Sequence, residues 1–197
     1  MSDQPAAALI LAGGRAARMG GGDKPLVTLA GATLLDRIGA TLAADHTHLA
    51  LSANGDPARF GTALPVLPDA FSGQGPLAGV LAGLEWAAGL GADALLTVPG
   101  DTPLIPRGLA LALAPAPAVA QSGGRRHHLV ALWPVACAPA LRTWLSQPGS
   151  RSVRAFADTL GMRAVSFPDE PFVNVNTPAD LAALEAIVAG RSSRDGT

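Results

Sequence analysis

The chain predicts an α/β fold: a single three-layer α/β/α domain built on a mainly parallel sheet. Three observations predict it. Short apolar runs alternate with amphipathic stretches, as they must where parallel strands are joined by crossover helices. Hydrophobic residues make up 49% and charged residues 15% of 197 positions, enough for one sizeable core. The first apolar run ends in a glycine-rich cationic loop, and open parallel sheets take ligands beyond their strand ends. The domain is expected over residues 1–190, with 191–197 as a disordered tail.

Each element has its own reason. Residues 7–12 have the length and apolarity of a buried strand. Residues 32–44 carry Leu34, Leu35, Ile38 and Leu42 near helical spacing. Segments 49–53 and 64–67 read as short strands, the first closed by the Asn54-Gly55-Asp56 turn. Residues 76–90 predict a helix with Pro76 in its first turn and Leu77, Val80, Leu81, Leu84 and Ala88 buried. A buried strand follows at 94–98, with Gly100-Asp101 past its end, then a short helix at 106–113. Residues 119–133 read as two strands around Gly123-Gly124. Helices are expected at 139–146 and 150–160, a strand at 163–167, and a closing helix at 178–188 with Thr177 as N-cap.

Charge and cysteine content exclude several classes. A net charge of −1 gives no field for nucleic acid or an anionic membrane, so binding of a polyanion must rest on a local site. The single cysteine, Cys137, forms no internal disulfide and no cysteine zinc cluster, and its apolar neighbours make it a small buried hydrophobe. No segment reaches the roughly 18 apolar residues of a membrane span. Asp3 and the early Arg15 are unlike a signal peptide, so a cytoplasmic protein is expected. His46 and His48, between helix and strand, read as surface.

The loop after the first strand carries the chemistry. Gly13, Gly14, Gly20, Gly21 and Gly22 let backbone N–H groups approach an anion, and Arg15, Arg18 and Lys24 add positive charge. It is not a Walker A loop, because Lys24 follows Asp23 rather than glycine, and it lacks the dinucleotide fingerprint. Asp101, at a strand end near this loop, is either a Mg²⁺ ligand or an Asx-turn aspartate before Pro103. Asp69 follows another predicted strand and can converge on the same edge.

Four segments then carry a family resemblance: LAGGRAARMGGGDKP at 11–25, PDAFSGQGPLAG at 68–79, PGDTPLIP at 99–106 and FVNVNTPADL at 172–181. In that order they resemble the motifs of molybdenum cofactor guanylyltransferases, whose fold is a Rossmann-like nucleotidyltransferase. The resemblance implies GMP transfer from GTP to the terminal phosphate of Mo-bound molybdopterin, with Mg²⁺ as cofactor and pyrophosphate released. It implies a nucleotide-binding N-terminal half and an acceptor-binding C-terminal half. Other proteins of cofactor biosynthesis or cofactor acceptance are candidate partners, and the chain is expected as a monomer or weak oligomer.

What the resemblance implies for residues is specific. Lys24 and Arg18 face the triphosphate and Asp101 holds the metal. Leu11, Ala12, Gly13 and Gly14 lie under the guanine and read it through backbone groups; L-A-G-G goes with guanine where related cytidylyltransferases show L-A-A-G. Ser52, Asp69 and Gly75 line the nucleotide side, and Asn174 and Asn176 alternate on an extended segment facing the site. The chain departs from the family at Ser52, where asparagine is frequent, and at Gly100, where cysteine or alanine is frequent. For the acceptor, two groups of residues are expected: Arg125, Arg126, His127 and His128 at a hairpin turn, and Ser150, Arg151 and Arg154 at a helix start. A cytidylyltransferase, a nucleotidyltransferase for another phosphorylated small molecule, and a non-catalytic nucleotide-binding regulator are the alternatives.

Overall fold

β1 (Ala7–Leu11) is the axis of the sheet, and its alternating side chains found both faces of the core. A computed structural model of the chain describes residues 6–13, 22–71, 73–149, 151–168 and 171–192. On one side β1 pairs in parallel with β4 (Leu49–Ser52), which pairs in parallel with β5 (Val66–Leu67). On the other it pairs in parallel with β6 (Ala94–Pro99). β8 (Arg125–Pro134) lies antiparallel between β6 and β7 (Ala118–Ser122), and β9 (Arg163–Ser166) closes the edge parallel to β7. The seven strands follow the order β5-β4-β1-β6-β8-β7-β9. The expectation of a mainly parallel sheet holds: β8 alone opposes the other strands.

Helices cover both faces. Ala8 and Ile10 point into one cluster, with Ile38 and Leu42 of α1 (Leu34–Ala43) and Leu109 and Leu113 of α3 (Leu109–Leu113). Ala7 and Leu9 point into the other, with Leu77, Leu81 and Leu84 of α2 (Pro76–Gly89), Leu141 of α4 (Ala138–Ser146) and Phe156 of α5 (Val153–Thr159). Trp133, fully buried, stacks on Phe156 and donates its indole N–H to Thr97 Oγ1 at 2.9 Å. Cys137 is buried, as expected, and burial pushes its thiol up to about 11.

A third, smaller cluster matters more for function. Leu29, Leu34, Val175 and Leu184 pack together, so the hairpin β2 (Thr28–Leu29) and β3 (Ala32–Thr33) meets α6 (Pro178–Ser192) and the segment before it. That packing draws the Lys24 and Asn176 regions to the same place.

Several expectations need correction. The predicted helix at 32–44 loses its first two residues to β3, because Thr33 caps α1: its hydroxyl accepts from the Asp36 N–H while Asp36 accepts from the Thr33 N–H. α3 begins only at Leu109, since Gly108 before it adopts a left-handed backbone. On α2 the buried residue is Ala87, not Ala88. His46 is not at the surface; it is 8% exposed, with Nδ1 2.6 Å from the Ala6 carbonyl. The Gly123-Gly124 turn does join two antiparallel strands, both glycines having positive φ. α6 runs through Ser192, into the segment expected as tail.

Candidate active site

Strands β1, β4, β5 and β6 end on the same edge of the sheet, and the loops beyond them enclose a cleft of about 490 Å³. Leu11 and Gly13 line it from β1, Ser52 and Asn54 from β4, Asp69 from β5, and Gly100 and Asp101 from β6. Gly75, Pro76 and Gly79 close it from the start of α2. Segments far apart in sequence thus converge because parallel strands share one carboxyl edge.

Lys24 is fixed from both sides. Before it, the Asp23 carboxylate accepts from Arg59 Nε at 2.7 Å; after it, buried Pro25 opens a 3-10 turn over Lys24–Leu26. Its Nζ donates to Asp101 Oδ2 at 3.1 Å and to Asn176 Oδ1. Lys24 and Asp101 are each 18% exposed in their side chains. Water therefore screens this pair less than it screens surface pairs.

The segment holding Asn174 and Asn176 braces the Asp101 loop, with Asn174 lining the cleft and Asn176 bonded to Lys24. Val175 N–H donates to the Asp101 carbonyl at 2.8 Å, and the hydroxyl of fully buried Thr102 donates to Asn174 Oδ1 at 3.0 Å. Asp180, in the first turn of α6, accepts from the N–H groups of Asn176 at 2.9 Å and Thr177 at 2.8 Å. Its own N–H donates to Thr177 Oγ1, making Thr177 the expected N-cap. These bonds, led by that from Asn176, hold the Asp180 carboxyl below the usual carboxylate range.

On the nucleotide side, Asn54 is a site residue the sequence reading passed over. Its Nδ2 donates to Asp69 Oδ2 at 2.6 Å and its Oδ1 accepts from the Asp69 N–H at 2.9 Å. In the sequence Asn54 stands in the turn that follows β4, and that turn carries no local signal of its contact with Asp69. Gly79 lets α2 approach this corner: a Cβ there would meet Ser52 Oγ, and would lie 3.3 Å from Asp69 Oδ1. Ser52 is almost wholly buried, and Ala12 is too. The Ala12 N–H donates to the Ser52 carbonyl and the Leu11 carbonyl accepts from Gly100, so these two groups already complete the sheet rather than face a base. Gly14 and Arg18 lie outside the described residues.

A second cleft, about 320 Å³, shares Pro99, Leu129 and Asn174 with the first. Arg125, Arg126, His127 and His128 line it along the start of β8, with Arg154 opposite. Burial, aided by Arg154 and Arg126 and opposed by Asp158, lowers the His128 pKa below its usual value. Arg151 does not join this set: its guanidinium donates to the Gln147 carbonyl. The expected helix start shifts too, since Ser152 caps α5 at Val153; Ser150 lies outside the described residues.

Among the described residues no cluster of three His, Cys, Asp or Glu side chains could hold a metal alone. Asp101 fits Mg²⁺, which takes few protein carboxylates and completes its shell with phosphate and water. The Thr102 hydroxyl, donated to Asn174, stands 3.4 Å from Asp101 Oδ1, which leaves acceptor capacity there.

A cationic side chain and a carboxylate face one cleft at the carboxyl edge of an α/β sheet, where such sheets take their ligands, and the family match makes the class a nucleotidyltransferase. The chain belongs to the MobA-like NTP transferase domain family, whose model matches residues 8–165. It is 57% identical to a molybdenum cofactor guanylyltransferase from Acidiphilium cryptum, over 91% of this chain and 93% of the relative. It is 52% identical to one from Cereibacter sphaeroides, over 91% and 95%. The fold resembles the crystal structure of molybdopterin-guanine dinucleotide biosynthesis protein A from Archaeoglobus fulgidus, with TM-score 0.74 and 20% identity, covering 93% of this chain and 98% of that one. No helix among the described residues is long and apolar enough to cross a membrane.

Proposed function

We propose that this nucleotidyltransferase moves GMP from GTP to the terminal phosphate of Mo-bound molybdopterin, forming the guanine dinucleotide and pyrophosphate. The observation that carries the reading is the meeting of Lys24 and Asp101 at one cleft, with Asn176 bonded to Lys24, in a chain with close guanylyltransferase relatives.

The chemistry matches the residues. The attacking group is a phosphate oxygen, already ionised at neutral pH, so no general base is required. Its lone pair forms a new bond to the α-phosphorus; the bond from that phosphorus to the bridging oxygen breaks, and its electron pair leaves on pyrophosphate. The obstacle is the approach of two anions. Lys24 supplies a positive charge at the triphosphate, and Asn176 holds that charge in place until the nucleotide arrives. When bound at Asp101, Mg²⁺ would act as a Lewis acid on the phosphate oxygens. Ser52, Asn54 and Asp69 form the wall against the nucleoside, with Asn54 fixing the Asp69 carboxylate. The acceptor enters the second cleft, whose arginines attract an anion and whose shared wall at Asn174 opens toward Asp101. A cytoplasmic site of action fits this reading, because GTP and Mg²⁺ are supplied there.

Pyrophosphate release tests it, measured with GTP and with CTP, with and without molybdopterin, in Mg²⁺ and in chelator. Release is expected only with GTP, the pterin and the metal together. Preference for CTP would replace the donor, turnover without the pterin would replace the acceptor, and tight GTP binding with no release under any condition would make the chain a regulator.

A further inference from the structure

Gly100 stands between β6 and Asp101, with its N–H donating to the Leu11 carbonyl at 2.9 Å. Its backbone is not in the left-handed region, so an alanine would meet no conformational penalty there. Space is what excludes a side chain. A Cβ on Gly100 would lie 2.7 Å from Pro25 Cγ, 3.2 Å from the Leu11 carbonyl oxygen and 3.4 Å from Pro25 Cβ. The departure from the family at this position is therefore not a matter of backbone freedom. The Pro25 ring takes up the volume that a side chain would need.

The two members of this contact are each next in sequence to a functional residue. Pro25 follows Lys24 and Gly100 precedes Asp101. Pro25 is buried in the 3-10 turn that carries Lys24, and its ring can yield only by a change of pucker, with Pro25 Cβ and the Leu11 carbonyl still crowding the added group. Relief beyond that must come from the turn itself, and the turn carries the ammonium. We propose that Gly100 and Pro25 are a matched positioning pair that sets the separation of Lys24 from Asp101. The pair acts through those two residues and touches neither the transferring phosphorus nor its leaving group. The inference rests on the reading of Lys24 and Asp101 as the triphosphate-facing residues.

A double-mutant cycle tests it, using Gly100→Ala, Pro25→Ala and the double variant, each followed by turnover, nucleotide KM, melting temperature and a crystal structure. Gly100→Ala should lower kcat by about 10- to 100-fold, the scale of a 1 Å misplacement. Its Lys24–Asp101 distance should lengthen beyond salt-bridge range. Adding Pro25→Ala removes the Cγ in the 2.7 Å contact and should restore both the distance and most of the rate. A Gly100→Ala variant with unchanged rate and distance overturns the pair, and so does a double variant whose losses merely add. If the wild type transfers no nucleotide at all, the functional reading fails, while the crystallographic distances still decide whether the pair sets the geometry.

Discussion

Lys24 Nζ stands 3.1 Å from Asp101 Oδ2 across a sequence separation of 77 residues, with Asn176 completing the contact. In this state the Lys24 ammonium neutralises the carboxylate to which the proposed function assigns the metal. In the proposed reaction the triphosphate would take the carboxylate's place at Lys24, and Mg²⁺ would take the ammonium's place at Asp101. Lys24→Ala removes one electrostatic donor to the reacting phosphates. It should cost about 2–4 kcal/mol of transition-state stabilisation, roughly 30- to 1000-fold in pyrophosphate release. Near-normal turnover in this variant would remove the site from consideration.

Asp101→Ala should be at least as damaging, because the carboxylate that the proposed function assigns to the metal goes with it. The informative measurement is the Mg²⁺ dependence. Asp101→Asn keeps an oxygen but loses the charge, so half-maximal rate should require markedly more Mg²⁺, while the melting temperature changes little by comparison. An unchanged Mg²⁺ titration would reassign Asp101 to a structural role in its loop.

Asp180 is the prop behind Asn176. Its folded carboxyl titrates below its ordinary value near 3.8, chiefly because the Asn176 N–H bonds the charged form. A depressed acid contributes stability that is present above its unfolded pKa and is lost as the pH falls through the folded one. Asp180→Asn should therefore lower the melting temperature at pH 7, and the gap to wild type should close on acidification below about pH 4. Looser support for Asn176 should also slow turnover at neutral pH. A gap that persists unchanged at pH 3 would mean that charge is not what Asp180 supplies.

Much of this was legible in the sequence because strand ends are legible. Apolar runs such as 7–12 and 94–98 announce strands that the structure places within a residue, and parallel sheets align their carboxyl ends, so Lys24, Asp69 and Asp101 share one edge. What escaped depended on which atoms a side chain finds nearby. Asn54 meets Asp69 across 15 residues, and no local pattern announces that pairing. Arg151 bonds the carbonyl of Gln147 and is withdrawn from the cation cluster it appeared to join by sequence. His46 sits in a polar stretch, yet its ring caps the carbonyl before β1 and is buried. Helix starts slipped for a similar reason: Thr33 and Ser152 use their hydroxyls to cap helices that apolar spacing alone extends too far.

Gly79→Ala probes the nucleoside wall. Its backbone allows alanine, but the added Cβ would meet the buried Ser52 hydroxyl and crowd Asp69 Oδ1 at 3.3 Å. The helix or the wall must give way, so the nucleotide KM should rise by about tenfold with a smaller change in kcat, the signature of lost binding common to ground and transition states. A fall in kcat at unchanged KM would place Gly79 in the chemistry instead.

The second cleft should respond to pH through His128. Burial and the charges of Arg154 and Arg126 lower its pKa from 6.5, against the pull of Asp158. The sign follows from linkage. The unfolded chain binds this proton more readily than the folded one, so stability is full above 6.5 and declines as the pH falls through the lower folded value. An anion in the cleft would favour the protonated ring and offset that decline. Sulfate, which keeps its charge over this range, should raise the melting temperature more at pH 5.5 than at pH 8 and compete better against the acceptor at the lower pH. His128→Gln should weaken both trends, leaving the arginines and His127 to bind sulfate. If the variant keeps the wild-type pH profile, His128 does not face the anion.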